Sequence, residues 1–302
     1  MTNLQPKVTI GLPVYNGEKN IKEAIESLIS QTYKNFELII SDNASTDLTS
    51  TICKMYAKKD IRISYIRQKK TIGIYCNFNF VLESANSEYF MWASADDIWR
   101  SDFIEKNLRI LESNENLVGS MGLIMLSGEP SRLYSNDSLN DVMNLENHVY
   151  SVTGNYEEKI QPYLRGFPHG DLIFGLYRTK KLQKRIVKHS LFNWDFAVTL
   201  NILHEGNFNA INEFLIYKSP KGMSRTTNSY IQLALKYNVS IPEILIGLYL
   251  PFTIWCAKTF GIKIFLKNFI WFLKLNYKGY KIVVFEIIRL VKRTICQQER
   301  WW

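Results

Sequence analysis

No glycine-rich dinucleotide fingerprint and no phosphate-binding loop follows the first strand-like run of this 302-residue sequence; residues 7–14, interrupted by Pro13, lead into Tyr15-Asn16-Gly17 instead. A nucleotide bound there would be held by something other than a glycine cradle. Cysteine is scarce and scattered: Cys53, Cys76, Cys256 and Cys296 show neither the close pairing of a zinc site nor a disulfide framework, which suits a reducing cytosol. The polar start carries no charged-then-apolar leader, so the globular part is expected to remain in the cytoplasm. The longest uncharged stretch, residues 244–257, is too short for a bilayer crossing, which needs about 20 apolar residues. Beyond Pro242 aspartate disappears altogether.

What is present is a core-forming composition, 46% hydrophobic, with a formal charge of +9 and a pI near 9.2. A chain of this length holds one large domain or two ordinary ones. The charge is uneven: ten Lys and Arg against three Glu lie beyond residue 240, which is +7, and only +2 remains for everything before. A basic tail of this kind points to an anionic membrane surface, not nucleic acid, as the polyanionic partner.

The run Tyr89-Phe90-Met91-Trp92-Ala93-Ser94-Ala95 is apolar and β-prone and ends in Asp96-Asp97, ahead of a helix-like segment from about residue 101. Two carboxylates at the end of a buried strand need a metal, a basic side chain or helix amides against them; otherwise one of them caps the next helix. Upstream, strand-like and helix-like segments alternate: strand 7–14, helix 18–31, strand 36–40, a helix to about residue 58, and strand 61–66. That alternation predicts a parallel sheet with helices on its faces, whose strand ends collect ligands. The turn at Pro13, Tyr15 and Asn16 and the turn at Asp42 and Ser45 therefore belong at the same edge as Asp96. An aromatic ring, amides and a carboxylate suit a planar base, although either turn alone is also ordinary turn chemistry.

Taken in order, residues 8–16 with Glu18, residues 39–47, Gly73 with Asn77 and Asn79, and Ser94-Ala95-Asp96-Asp97 resemble the inverting glycosyltransferase family 2. The resemblance covers about the first hundred residues strongly and extends more faintly to about residue 224. It implies a GT-A fold, a mixed, mostly parallel α/β sheet flanked by helices. A nucleotide-diphospho-sugar donor would have its base and ribose held by the first two turns. A divalent metal, Mg2+ or Mn2+, would sit on Asp96 and bridge the donor's two phosphates. Ser94 stands where the family's first acid stands, which puts the ribose contact in doubt, and Asp97 is either a helix cap or an outer partner of the metal site. Of Asn77 and Asn79, which cannot share one helix face, one is a bystander.

Downstream, residues 128–155 read as a long loop on the acceptor side. His169 and Asp171 match an acceptor-facing segment or belong to a plain polar loop. Asp195 matches the family's general base, with Asn193-Trp194 in place of the usual acidic neighbour; its rival reading is a helix N-cap. Lys218, Lys221 and Arg225 fall where family members carry a loop that closes over the diphosphate.

The tail is read as an amphipathic helix over residues 263–292, with Gly279 as the point where it would split in two, and with Lys263, Lys267, Lys274, Lys278, Lys281, Arg289 and Lys292 in one cationic stripe. Its apolar arc is wider than the ~100° a packed helix needs, as suits an interfacial helix, while helices packed on the domain or on a second copy are the alternative. The expected organisation is a glycosyltransferase domain over 1–225 (nucleotide-sugar half 1–100, acceptor half 101–225) and a helical, membrane-associating region over 226–302. The function that follows is glycosyl transfer with inversion to a glycan or lipid-linked acceptor in surface polysaccharide assembly, peripheral on the inner face of the cell membrane. A homo-oligomer stays open. The rival readings are a sugar-nucleotide nucleotidyltransferase and a GT-A-like membrane scaffold without chemistry.

Overall fold

The computed structural model describes residues 5–126, 149–164, 170–188, 191–219, 230–236 and 240–298. Every residue of β1 (Val8–Val14) is buried, as in a strand covered on both faces. After α1 (Ile21–Ile29), β2 (Phe36–Asp42) pairs parallel with it; after α2 (Thr49–Lys59), β3 (Ile63–Arg67) pairs parallel with β2. The chain then returns through α3 (Ile74–Glu83) to place β4 (Tyr89–Trp92) parallel on the other side of β1.

The second half adds β5 (Ile98–Trp99), α4 (Phe103–Ser113), β6 (Leu117–Leu126) and α5 (Tyr156–Ile160). A 3-10 turn (Asp171–Phe174), β7 (Leu176–Arg178), α6 (Thr179–Lys184), α7 (Trp194–Ile202) and β8 (Asn207–Lys218) follow. The sheet order is β3-β2-β1-β4-β7-β6-β8-β5. Because β7 runs antiparallel to both β4 and β6, and β8 parallel to β6, the carboxyl ends of β1, β2, β3, β4, β6 and β8 reach one edge. That is the mixed, mostly parallel sheet expected of a GT-A domain.

Two-residue β5 carries no periodicity and was invisible in the sequence pattern. It pairs with the end of β8 and separates Asp97 from α4, whose N-cap position is Asp102. Neither Asp96 nor Asp97 caps a helix. Of the expected acceptor-side loop, residues 127–148 lie outside the described residues; Val152 bridges to Phe208, and an Asn155–Glu158 capping box opens α5.

The tail comprises α8 (Tyr230–Lys236), α9 (Ile241–Ile246), α10 (Leu250–Phe260), α11 (Ile262–Lys267) and α12 (Phe269–Gln298). Gly279 does not split the last helix; the break comes at Asn268. A Cβ on Gly279 would stand 2.5 Å from the Tyr249 ring, so glycine serves there for close approach of α12 to the start of α10. Tyr249, Phe252, Cys256, Phe260, Phe272, Leu275 and Val283 are buried in the same core cluster as β1. No helix among the described residues is long and apolar enough to cross a membrane.

Each large apolar side chain fully buried contributes about 1.5–3 kcal/mol. Deleting residues 241–302 removes several and uncovers their partners, so the shortened chain is expected to lose its cooperative near-ultraviolet circular dichroism melt. A melt like that of the full chain would show that the tail packs without supporting the sheet.

Candidate active site

The first two turns are latched to each other by their own polar groups. Asn16, at a φ of 50°, donates its backbone N–H to Ser45 Oγ at 2.9 Å, and its side-chain Oδ1 accepts from the Thr46 N–H at 2.8 Å. Glu18 Oε2 accepts from the Leu48 N–H at 3.0 Å, while Asp47 accepts from the Glu18 N–H at 3.0 Å. Asn16, Glu18 and Ser45 thus shape the pocket edge. Pro13 is buried within β1, and Tyr15 stands 51% exposed just beyond it, the aromatic platform of this edge.

Asp42 is fully buried. One carboxylate oxygen accepts from the Ser45 N–H at 2.8 Å; the other accepts from Tyr65 Oη at 2.6 Å and from Arg67 Nη1 at 3.0 Å. A ring N–H reaching Asp42 would compete with Arg67, whose side chain is 41% exposed. Tyr65 and Arg67 escaped the sequence reading, and their signal was only that β3 ends at the same edge. Asn43 escaped it too: its amide accepts from the Ile72 N–H at 2.8 Å and donates to the Gly73 carbonyl at 3.3 Å. Gly73 holds a φ of 88°, a left-handed conformation that glycine adopts without strain. Asn77 is buried and both donates to and accepts from Ser41, and Asn79 reaches the Val187 carbonyl on another side. The two asparagines do face apart, and each is tied to the protein.

At the end of β4, the Ser94 hydroxyl donates to Asp96 Oδ1 and Asp96 is half-buried, whereas Asp97 is buried and accepts from the Ser219 N–H at 3.1 Å. A Cβ on Gly17 would lie 3.7 Å from Ala95 Cβ, so the first turn abuts this loop. Among the described residues no group of three or more His, Cys, Asp or Glu could hold a metal. The donor set here fits a hard divalent cation only as one carboxylate, Asp96, with phosphate oxygens and water completing the shell. That is how Mg2+ is commonly held beside a diphosphate.

Asp195 lies in the first turn of α7, after Asn193 in the left-handed region at a φ of 66°, so it is not the N-cap. Its Oδ1 accepts from the Phe196 N–H at 2.9 Å. Gly170 lies against this carboxyl group so closely that a Cβ there would come within 2.1 Å of it. Burial pushes the Asp195 carboxyl above the usual carboxylate range and nearby Asp171 adds to the rise, against the Phe196 N–H and Lys218. Lys218, at the end of β8, pairs with Asp171 at 2.5 Å and lies 4.6 Å from the Phe174 ring centre. Thus Asp171, Lys218 and Asp195 come together, and Ser219 connects them to Asp97. His169, Lys221 and Arg225 lie outside the described residues.

Trp194, in the place of an expected acid, is buried against Trp92, Phe78 and Tyr75 at ring separations of 5.8, 5.7 and 6.4 Å. It anchors the first turn of α7 to β4.

A parallel sheet edge carrying an exposed aromatic ring, the half-buried carboxylate of Asp96 and the separate half-buried carboxyl group of Asp195 has the make-up of a nucleotide-sugar-transferase type of site on a GT-A fold. The sequence model of the family "Glycosyl transferase family 2" matches residues 9–185, and the chain belongs to that family. Similar proteins include "Putative glycosyltransferase EpsE" of Bacillus subtilis, 37% identical over 115 residues (38% of this chain, 41% of that protein). "Putative teichuronic acid biosynthesis glycosyltransferase TuaG" of the same organism is 34% identical over 111 residues (37% of this chain, 44% of that protein). The chain therefore spans less than half the length of these relatives. Among solved structures, S. aureus TarS 1-349 in complex with UDP-GlcNAc aligns with a TM-score of 0.56 at 15% identity, covering 89% of this chain and 81% of that one. The mannosyltransferase PcManGT of Pyrobaculum calidifontis, in complex with GDP-Man and Mn2+, aligns at 0.51 and 17% identity, covering 72% and 57%. At these identities the likeness shows the shared fold.

Gly170 has a φ of −95°, which alanine also adopts, so the consequence of Gly170→Ala is steric displacement of the Asp195 carboxyl group. If that carboxyl group works on the substrate, turnover is expected to fall about 10²-fold, the scale of an ångström-sized misplacement, with the melting temperature much less affected. Nucleotide release on a panel of UDP- and GDP-sugars measures it; unchanged turnover would detach Asp195 from the chemistry.

Proposed function

We propose that this chain moves a glycosyl unit from a nucleoside-diphosphate donor to an acceptor hydroxyl with inversion at the anomeric carbon, with Asp195 as general base. The observation that carries this reading is the placement of the half-buried Asp195 carboxyl group against Gly170 and near Asp171 and Lys218 at the end of β8, with its proton affinity raised. A carboxylate with a raised pKa is the stronger base for a hydroxyl proton. The Phe196 N–H orients one oxygen and leaves the other for the acceptor O–H. Tyr15 offers a face for the donor's base, and the Asp42 turn a polar wall beside it. A divalent cation, Mg2+ or Mn2+, would be held by Asp96 and would neutralise charge on the departing diphosphate. Support for donor and metal comes from the ligands present in the TarS and PcManGT structures.

The acceptor we propose is a glycan, lipid-linked, in surface polysaccharide assembly at the inner face of the cell membrane. The name of TuaG and the basic tail support it. The scaffold reading drew on Ser94 and on Asn193, the missing acidic neighbour; Trp194 beside Asn193 is a buried packing residue, so the Asn193-Trp194 pair also serves to seat the first turn of α7.

Replacing Asp195 by Asn keeps the bond from Phe196 but removes the proton acceptor, so turnover is expected to fall roughly 10²-fold or more. The folded-state pKa lies above the unfolded value, so below the unfolded pKa the group is protonated in both states and costs nothing. As pH rises through the folded pKa the ionised form penalises the fold. At neutral pH the Asn variant should therefore melt no lower than the parent, and the acid limb of the parent's rate profile should lie above the ordinary carboxylate range. A stable Asn variant with parental turnover would sink this assignment. The metal is tested apart from turnover: Asp96→Ala should abolish Mn2+-dependent binding of UDP or GDP measured by calorimetry, while parental metal-dependent binding in that variant would remove Asp96 as the ligand.

A further inference from the structure

The side of α11 and α12 turned away from the protein is an amphipathic surface in its own right. Along α12 the buried positions Phe272, Leu275, Gly279 and Val283 recur at helical spacing and face the protein. At about 100° per residue the rest of the circumference divides into two adjoining sectors of roughly a third each. One is apolar and open: Leu266, Ile270, Leu273, Tyr277, Tyr280 and Ile288 are 61%, 68%, 53%, 61%, 57% and 47% exposed. The other carries Lys263, Lys274, Lys278, Lys281 and Arg289, all exposed, with Phe285, 78% exposed, among them. Glu286 is the sole acid between residues 262 and 289, and it accepts from the Ile231 backbone N–H at 3.0 Å.

This pattern selects among partners. A second copy of the chain docked by a two-fold axis would set one cationic sector near the other. An anionic bilayer meets both sectors at once, acyl chains against the apolar one and headgroup phosphates against the cationic one. From Phe269 to Arg289 α12 offers such contact along about 30 Å.

We infer that this face docks flat on an anionic membrane surface, with α11 and α12 lying in the plane of the interface. The inference deepens the reading above by naming the partner and the residues that meet it. The protein-facing side of the same helices also seats the catalytic helix. Phe196, next to Asp195, lies 5.6 Å from Phe252 of α10 and 6.5 Å from Trp271 of α12, and Phe192 lies 5.4 Å from Tyr249. The membrane plane is thereby fixed relative to the base, as an acceptor carried by a lipid requires.

The test uses the full chain without donor and two kinds of vesicle, phosphatidylcholine alone and phosphatidylcholine with phosphatidylglycerol. Cosedimentation should be about tenfold or more tighter on the anionic vesicles, and high salt should weaken it without abolishing it. Joint replacement of Lys274, Lys278 and Lys281 by Glu should erase the preference for anionic lipid. Ile270→Ser with Leu273→Ser should remove the salt-resistant part, and both variants should keep the parental melt because these side chains are exposed. Equal binding to the two vesicle types, or none, overturns the inference. So does a dimer mass by light scattering that Leu273→Glu reduces to a monomer, which would make the face a self-association surface. With no donor present, the outcome is independent of whether Asp195 proves to be the base.

Discussion

The edge-on contact between Trp92 and Trp194 is the joint on which the site depends. Trp92 ends the strand that delivers Asp96, and Trp194 immediately precedes Asp195; their rings meet at 5.8 Å and 74°. Both indoles are buried, and each N–H has a carbonyl to donate to, Phe78 for Trp92 and Val187 for Trp194, both at 2.8 Å. The pair therefore gains the packing of two large aromatic surfaces without an unmet polar group. It ties the strand that leads to Asp96 and the helix turn that carries Asp195 to one rigid contact. A carboxylate in place of Trp194 would be buried among aromatic rings, a much poorer solution at this position.

Around that joint the same residue type is used in five ways, set by company rather than by identity. Asp42 has an arginine, a tyrosine and a backbone amide; Asp171 has Lys218; Asp97 has the Ser219 amide; Asp96 has a serine hydroxyl. Asp195 accepts one backbone bond from its own neighbour and feels Asp171 as well as Lys218. The Asp195 carboxyl group has its proton affinity raised by these surroundings, by burial first and then by Asp171. Lys218 and Ser219 sit between the two clusters, so the end of β8 holds the Asp97 side and the Asp171 side in register.

Much of the sheet was readable in the sequence because its strands are continuous apolar runs bounded by polar turns, and Leu117–Leu126 was read to the residue. The turns at Asp42 and Asp96 were readable as carboxylates at strand ends. Three things were not. A two-residue strand such as β5 has no period to detect. The latches made by Asn16, Glu18 and Asn77 are long-range bonds, and sequence spacing cannot distinguish an amide that holds a neighbouring turn from one that holds a ligand. Arg67 looked like a charge ending a strand, and only the pairing of β3 with β2 brings it to Asp42.

The tail shows a different limit. A helical wheel drawn from residues 263–292 has no inside until something is packed on it, so its apolar arc read as one wide interfacial face. The fold divides that arc: Phe272, Leu275 and Val283 go into the core beside α10, and Leu273, Tyr277 and Tyr280 stay outside beside the lysines. The two readings of the tail, packed helix and interfacial helix, are thus two sides of one element. Gly279 makes this workable by letting the helix approach Tyr249 closely enough to bury a narrow stripe. The same packing sets α12 directly against the first turn of α7, through Trp271 and Phe196, so the outward face of the tail stands one helix layer from Asp195.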